Sequence, residues 1–270
     1  MATLTMQQVK QHQVPDCSIT VWWLGQAGFV VKSPGGKIVA IDPYLSNSCK
    51  AVGEQYGFDM DRLVPPPMSP AELVGIDAYA MTHSHQDHLD PETLRPYRDA
   101  GGTGPFVAPP ETIEKLHAMG IPAAQTVMIW PNKTFTVGDL SLRATFAIPL
   151  GGDDLTHVGY LVAAQGGPKF YFTGDTGYHD VLAISVAEHK PDVMVTVING
   201  VFRNLGPADA AHLARQINPK VVIPCHYDLF RDNQQPPRLL RANLQLLGIA
   251  DKYQVIEHGS PFTFPVRPSY

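Results

Sequence analysis

The sequence predicts an α/β fold with paired sheets inside and helices outside, and three observations carry that prediction. Short β-branched and aromatic runs recur along the 270 residues. Proline-opened helical stretches alternate with these runs, and no repeat, low-complexity tract or linker divides the chain, so one domain over residues 1–270 is expected.

The runs that read as strands are "ITVWWL" (19–24), "GFVVK" (28–32), "KIVAID" (37–42), "IDAYAMT" (76–82), "LSLRATFA" (140–147), "HVGYLVAA" (157–164), "KFYFTGD" (169–175), "DVMVTVI" (192–198) and "KVVIPCH" (220–226). Gly/Pro punctuation in "SPGGK" and the "GD" after "TFTV" predict hairpins. Asp90-Pro91 opens "PETLRPYRDA", Pro109-Pro110 opens "ETIEKLHAMG" and Pro207 opens "ADAAHLARQIN", each with proline in the first helical turn. A further helix is expected over roughly 236–247. Residues 46–70 are Pro-rich and without clear periodicity, which predicts either a functional loop or a surface insertion.

With 20 basic against 25 acidic residues, a net charge of -5 and no basic block, the chain shows no electrostatic footprint for nucleic acid or an anionic membrane. The polar start "MATLTMQQVKQHQVPDC" lacks the apolar core of a signal peptide, and no run is long enough to span a bilayer, so a cytoplasmic protein without a membrane partner is expected. Cys17, Cys49 and Cys225 are odd in number and lack CxxC spacing, which predicts buried free thiols rather than disulfides or a thiolate metal site. A small molecule is the expected partner; both monomer and homo-oligomer remain open.

The chemistry concentrates in "THSHQDHLD" (82–90). His83 and His85 follow an apolar strand two residues apart, so in extended geometry both imidazoles point the same way. Asp87 and His88 come next as the chain turns, and Asp90 reads as the cap of the following helix. An apolar core gains nothing from such a cluster, whereas a metal does. Strand ends elsewhere supply more donors: Asp175 after "KFYFTG" and His226 after "KVVIPC". This imidazole and carboxylate set suits Zn, Mn or Fe and does not choose among them; one or two divalent ions, Zn or Mn first, are the expected cofactor.

"THSHQDHLD" carries the H-x-H-x-D-H signature and resembles the metallo-β-lactamase superfamily. "VWWLGQAGFVVKSPGGKIVAIDPYLSNS", "FYFTGDTGY" and "GPADAAHLARQINPKVVIPCHYD" resemble the branch containing the ascorbate-6-phosphate lactonases. The resemblance implies a four-layer αβ/βα sandwich with a metal site at one edge. It assigns His83 and His85 to a first metal position, Asp87, His88 and His226 to a second, and Asp175 to the bridge. A further first-site histidine is usual, and Pro149 stands about where it belongs. Three readings follow: His157 reaches in as an extra ligand, Asp153 or Asp154 substitutes, or the first site keeps only His83, His85 and Asp175. The last is favoured, since three protein ligands plus water is an ordinary catalytic count.

The implied chemistry is hydrolysis by a metal-bound hydroxide, with Asp87 orienting it or relaying its proton. Asp42 in "AIDPYLS" reads either as a turn opener or as a hydrogen-bond partner holding a site histidine. Asn199, Arg203 and Tyr227 are candidate substrate contacts; for Tyr227, packing is the alternative. His179 reads as a helix-start residue and Cys225 as a core thiol. A lactonase, or related cyclic ester or amide hydrolase, is the first expectation. A phosphodiesterase or phospholipase D-like enzyme, and a metal-binding homologue without turnover, are the alternatives.

Overall fold

The computed structural model describes residues 4–149, 151–152 and 154–265. Its elements in chain order are α1 (Met6–Gln11), β1 (Ile19–Gly25), β2 (Gly28–Lys32), β3 (Ile38–Ile41), α2 (Cys49–Tyr56), β4 (Ala78–Ala80), α3 (Pro91–Asp99), β5 (Phe106–Ala108), α4 (Pro110–Ala118), β6 (Thr126–Met128), β7 (Thr134–Val137), β8 (Leu140–Phe146), β9 (Val158–Ala164), β10 (Lys169–Phe172), α5 (Asp180–Ala187), β11 (Val193–Val197), α6 (Pro207–Ile217), β12 (Val221–Cys225), α7 (Arg238–Leu246) and β13 (Pro261–Phe264). They build a seven-stranded sheet, β13-β1-β2-β3-β4-β5-β6, and a six-stranded sheet, β12-β11-β10-β9-β8-β7.

The apolar runs are continuous because the central strands are covered on both faces. Along β1, Val21 and Trp23 face the second sheet, where they join Leu142, Tyr160 and Phe172. The alternate residues Trp22 and Leu24 pack outward with Val9 of α1, Leu94 of α3 and Ile113 of α4. Phe29 of β2 meets Phe172 of β10 edge-on at 5.3 Å between ring centres, closing the space between the sheets. On the far face of the second sheet, α5, α6 and α7 contribute Leu182, Leu213 and Leu240 to the same apolar cluster. The result is the αβ/βα sandwich. Among the described residues, no helix is long and apolar enough to cross a membrane.

Residues 46–70 are not wholly irregular: α2 lies within them, its buried Cys49 and Gly53 turned inward. Two of the three thiols, Cys49 and Cys225, are buried as expected, but Cys17 is exposed, because its left-handed backbone (φ 57°) stands in the turn before β1 rather than under the sheet.

The short helix α1 is tied to β2 by a buried cation. Lys32 Nζ donates to the carbonyls of Val9, Lys10 and His12 at 2.9, 2.6 and 2.8 Å, satisfying the helix's C-terminal carbonyls and complementing its dipole. Replacing Lys32 with Met keeps the apolar stem but leaves those carbonyls without their donor. Urea denaturation of K32M should show a loss of about 2–3 kcal/mol with an unchanged slope. An unshifted midpoint would mean that the ammonium contributes nothing net.

Candidate metal centre

The strand directions bring the polar segments to one edge. β3, β4 and β5 run parallel, as do β10, β11 and β12, so Asp42, the 82–90 turn, Asp175, Asn199 and His226 all follow strands that end there. β9 runs antiparallel to β10, which puts its start, with His157 just before it, at the same edge. The turn between β1 and β2 adds Gln26. Two backbone hydrogen bonds join the sheets here: Val158 N–H to Thr82 O at 3.0 Å and His226 N–H to Gln26 O at 3.0 Å. Gly174 (φ +61°) has no room for a side chain, because a Cβ would lie 2.6 Å from the Val158 carbonyl.

Three overlapping groups result, each with its donor atoms within 4.8 Å of one another: His83, His85 and His157; His83, His88 and Asp175; and Asp87, His88 and His226. His83 Nε2 lies 2.9 Å from His85 Nδ1, and the His83 and His157 rings are 4.0 Å apart at their centres. His88 Nε2 lies 3.4 Å and His226 Nε2 3.3 Å from Asp175 Oδ1, while Asp87 Oδ2 lies 3.2 Å from His226 Nε2. Asp42, His83, His88, His157, Asp175 and His226 are buried.

Hydrogen bonds behind the rings fix which nitrogen faces inward. A carboxylate or carbonyl only accepts, so the ring nitrogen beside it carries the proton. His88 Nδ1–H thus donates to Asp42 Oδ2 at 2.8 Å, and His157 Nδ1–H to the Asp175 carbonyl at 3.2 Å. Thr82 Oγ1–H donates to Asp42 Oδ2 at 2.5 Å and so can accept from His83 Nδ1–H at 3.1 Å. Each arrangement turns Nε2 toward the centre. His88 Nε2, His157 Nε2 and Asp175 Oδ1 are buried without any hydrogen-bond partner, an arrangement that costs free energy unless a ligand fills it. A divalent cation fits such a donor set.

The two halves differ electrostatically. Burial, reinforced by the neighbouring imidazoles, pushes His83 well below its ordinary pKa, and burial also lowers His157, so both rings are held neutral. Burial opposes charge on His88 and His226 too, but there Asp175 and Asp87 prevail; they raise His88 well above its ordinary value and His226 to about 9. The carboxylates of Asp87 and Asp175 are held low by those same imidazoles against the opposing effect of burial.

The structure brings His157 together with His83 and His85, the grouping expected if His157 reaches in as an extra ligand. Asp154 instead accepts from Ser84 N–H at 2.8 Å and braces the turn; Asp153 lies outside the described residues. Asp42 is more than a turn opener, since it holds His88 directly. Asp90 caps α3 by accepting from Glu92 N–H, and His179 caps α5.

Asn199, Arg203 and Tyr227, the candidate substrate contacts, do not line the cleft above the centre. Asn199 is buried and donates through Nδ2 to Asn233 Oδ1 at 2.7 Å, with Asn233 Nδ2 3.2 Å from His226 Nδ1, so it stands behind the ring rather than before it. Tyr227 packs against Trp23 at 5.2 Å in the core, as the residue after a strand-end ligand pointing the other way. Arg203 is exposed on its turn, while its neighbours Phe202 and Asn204 line the cleft above the centre. Two neutral amides went unnoticed in the sequence. Gln26 Nε2 donates to Asp87 Oδ2 at 2.8 Å, and Asn204 Nδ2 donates to Asp175 Oδ2 at 2.7 Å. The glycines flanking Gln26 in "LGQAG" are the signal that marks its turn.

A family model described as a beta-lactamase superfamily domain matches residues 37–227 of this chain. The chain belongs to the metallo-β-lactamase superfamily. Within the superfamily it is 33% identical over 251 residues to a UPF0173 metal-dependent hydrolase of Myxococcus xanthus, covering 89% of this chain and 81% of that protein. It is 26% identical over 301 residues to a Salmonella heidelberg protein named Probable L-ascorbate-6-phosphate lactonase UlaG, covering 96% of this chain and 85% of the relative. The solved structure of Igni18, a metallo hydrolase from Ignicoccus hospitalis, shares the fold with a TM-score of 0.73 at 21% identity, over 93% of this chain and 100% of that one.

Asp42 offers a direct test of the hydrogen bonds behind the rings. In D42N an amide N–H must face one of the donors that the carboxylate now accepts, from Thr82 or His88. Chelator competition should show divalent-metal affinity reduced about 10–100-fold, with unchanged far-UV circular dichroism.

Proposed function

We propose that the protein is a metal-dependent hydrolase that opens a lactone or a related cyclic ester or amide. In this reading His83, His85 and His157 would hold one divalent ion and Asp87, His88 and His226 a second, with Asp175 available to both. The observation that carries it is that three buried, unpartnered atoms, His88 Nε2, His157 Nε2 and Asp175 Oδ1, all belong to the overlapping histidine and aspartate groups that share His83 and His88. The names borne by the Myxococcus and Salmonella relatives support the same reaction class. A donor set of imidazoles and carboxylates without thiolate favours Zn or Mn.

Bound divalent ions supply Lewis acidity and lower the pKa of water to near neutrality. The remaining work falls to this chain's side chains. Gln26 holds Asp87 by one carboxylate oxygen, and Asn204 holds Asp175 by Oδ2, which leaves Oδ1 toward His88 and His226. Asp87 takes a proton from the attacking water and returns it to the leaving oxygen as the acyl C–O bond breaks. The water oxygen stays on the carbonyl carbon, and the ring opens to a hydroxy acid with no change in oxidation state.

Chelation should abolish hydrolysis of lactones, and Zn or Mn should restore it. D87N should lower kcat by about 10²–10⁴ relative to wild type at matched metal content, measured by elemental analysis. Cleavage of bis-p-nitrophenyl phosphate with lactones untouched would move the assignment to a phosphodiesterase. Full metal content without hydrolysis of either class would make the protein a metal-binding homologue without turnover.

A further inference from the structure

The centre opens into a cleft of about 860 Å³, within the range of small-molecule sites, with His85, Asp87, Asp175 and His226 at its floor. Its walls are apolar. Val52, Met60 and Leu89 line the interior, and the mouth is ringed by Tyr56, Phe58, Met119 and Phe202, each more than 40% exposed. Exposed large apolar side chains are unremarkable singly, but four lining one opening present apolar surface that water does not favour. Phe58, after α2, and Phe202, after β11, reach each other from separate loops and meet edge-on at 5.1 Å and 81°.

Charge is scarce by contrast. Among the described residues that line the cleft, Lys115 is the one lysine or arginine, and its ammonium donates to the Ser84 carbonyl at 3.3 Å. Arg62 is committed to the Val64 and Tyr44 carbonyls at 2.6 and 2.9 Å. A phosphate on the substrate needs a cluster of cations or backbone N–H donors, typically with bidentate arginine, and the cleft wall offers no arginine among its described residues.

We propose that the cleft selects hydrolysable substrates that carry an apolar alkyl or aryl chain beside the scissile carbonyl, and that it disfavours phosphorylated sugar lactones. The inference rests on the hydrolase reading above and narrows its substrate class. The reacting carbonyl sits at the polar floor, and the chain runs up the wall between Val52, Phe58, Met60 and Phe202. Each added methylene leaves water for an apolar surface.

Two measurements on the metal-loaded protein separate this inference from the reaction it builds on. The first is kcat/KM for γ-lactones with methyl, butyl and octyl side chains against a phosphorylated sugar lactone. The expected rise is about fourfold per methylene until the cleft is filled, with the phosphorylated lactone the poorest substrate. The second is calorimetric binding of butyrate, octanoate and dodecanoate, which needs no turnover and should follow the same trend. F58S and F202S lie at the exposed mouth and should flatten both slopes. A flat series in both measurements, or preference for the phosphorylated lactone, overturns the inference while leaving the hydrolase intact. Steep alkanoate binding without hydrolysis of any lactone sustains the apolar cleft and overturns the reaction.

Discussion

Two backbone hydrogen bonds between the sheets hold the centre together. Val158 N–H to Thr82 O sets His157 beside His83, each being the chain neighbour of a bonded residue. His226 N–H to Gln26 O does the same for the other half, and Gln26 then reaches across to Asp87. The donors therefore come from both sheets, and a slip of either sheet by one residue would turn alternate side chains away. Three non-glycine residues at this edge, Gln26, Asp42 and His226, hold left-handed backbone with φ of 49°, 43° and 58°. Such conformations cost on the order of 1–3 kcal/mol each and persist where the surrounding structure over-determines them. The cross-sheet bond between His226 and Gln26 is that over-determination for two of the three, and the Thr82 and His88 hydrogen bonds serve Asp42.

The same edge concentrates charge where an apolar core would exclude it. Asp42 and Asp175 are buried, and a buried carboxylate is tolerated only when paired and hydrogen-bonded. Asp42 meets that condition within the protein, accepting from Thr82 and His88. Asp175 meets it on one oxygen through Asn204, while Oδ1 faces the imidazoles of His88 and His226 without a hydrogen bond to either. The imbalance marks a site whose polar groups are arranged for something other than stability.

Much of this could be read from the sequence, for physical reasons that also explain what was missed. β1, β9 and β11 declare themselves because both faces are buried, which leaves uninterrupted apolar runs. β5 and β6 have three residues each, too few to show a period, and β13 begins on a proline. α5, "DVLAISVA", is apolar nearly all round and lacks the polar face that identifies a surface helix. In the centre, histidine and aspartate at strand ends signal metal chemistry by their type alone. Gln26 and Asn204 do not, since a neutral amide is ordinary in any loop, and their roles exist only through the carboxylates they meet across the fold.

His157 shows why spacing along the chain misleads at this site. The segment from 147 to 157 is anchored at both ends: Ile148 N–H donates to Thr176 Oγ1 at 2.9 Å, beside Asp175, and Asp154 accepts from Ser84 N–H, inside the histidine-rich turn. Thr156 is further held by Glu111 of α4. With both ends pinned to the walls of the centre, a histidine at either end stands near the first site. Here it is delivered from the β9 end, eight residues beyond Pro149. Gly151, between the two anchors, lines the cleft. Changes of size or polarity in that stretch can reshape the wall of the cleft while the donors below keep their places.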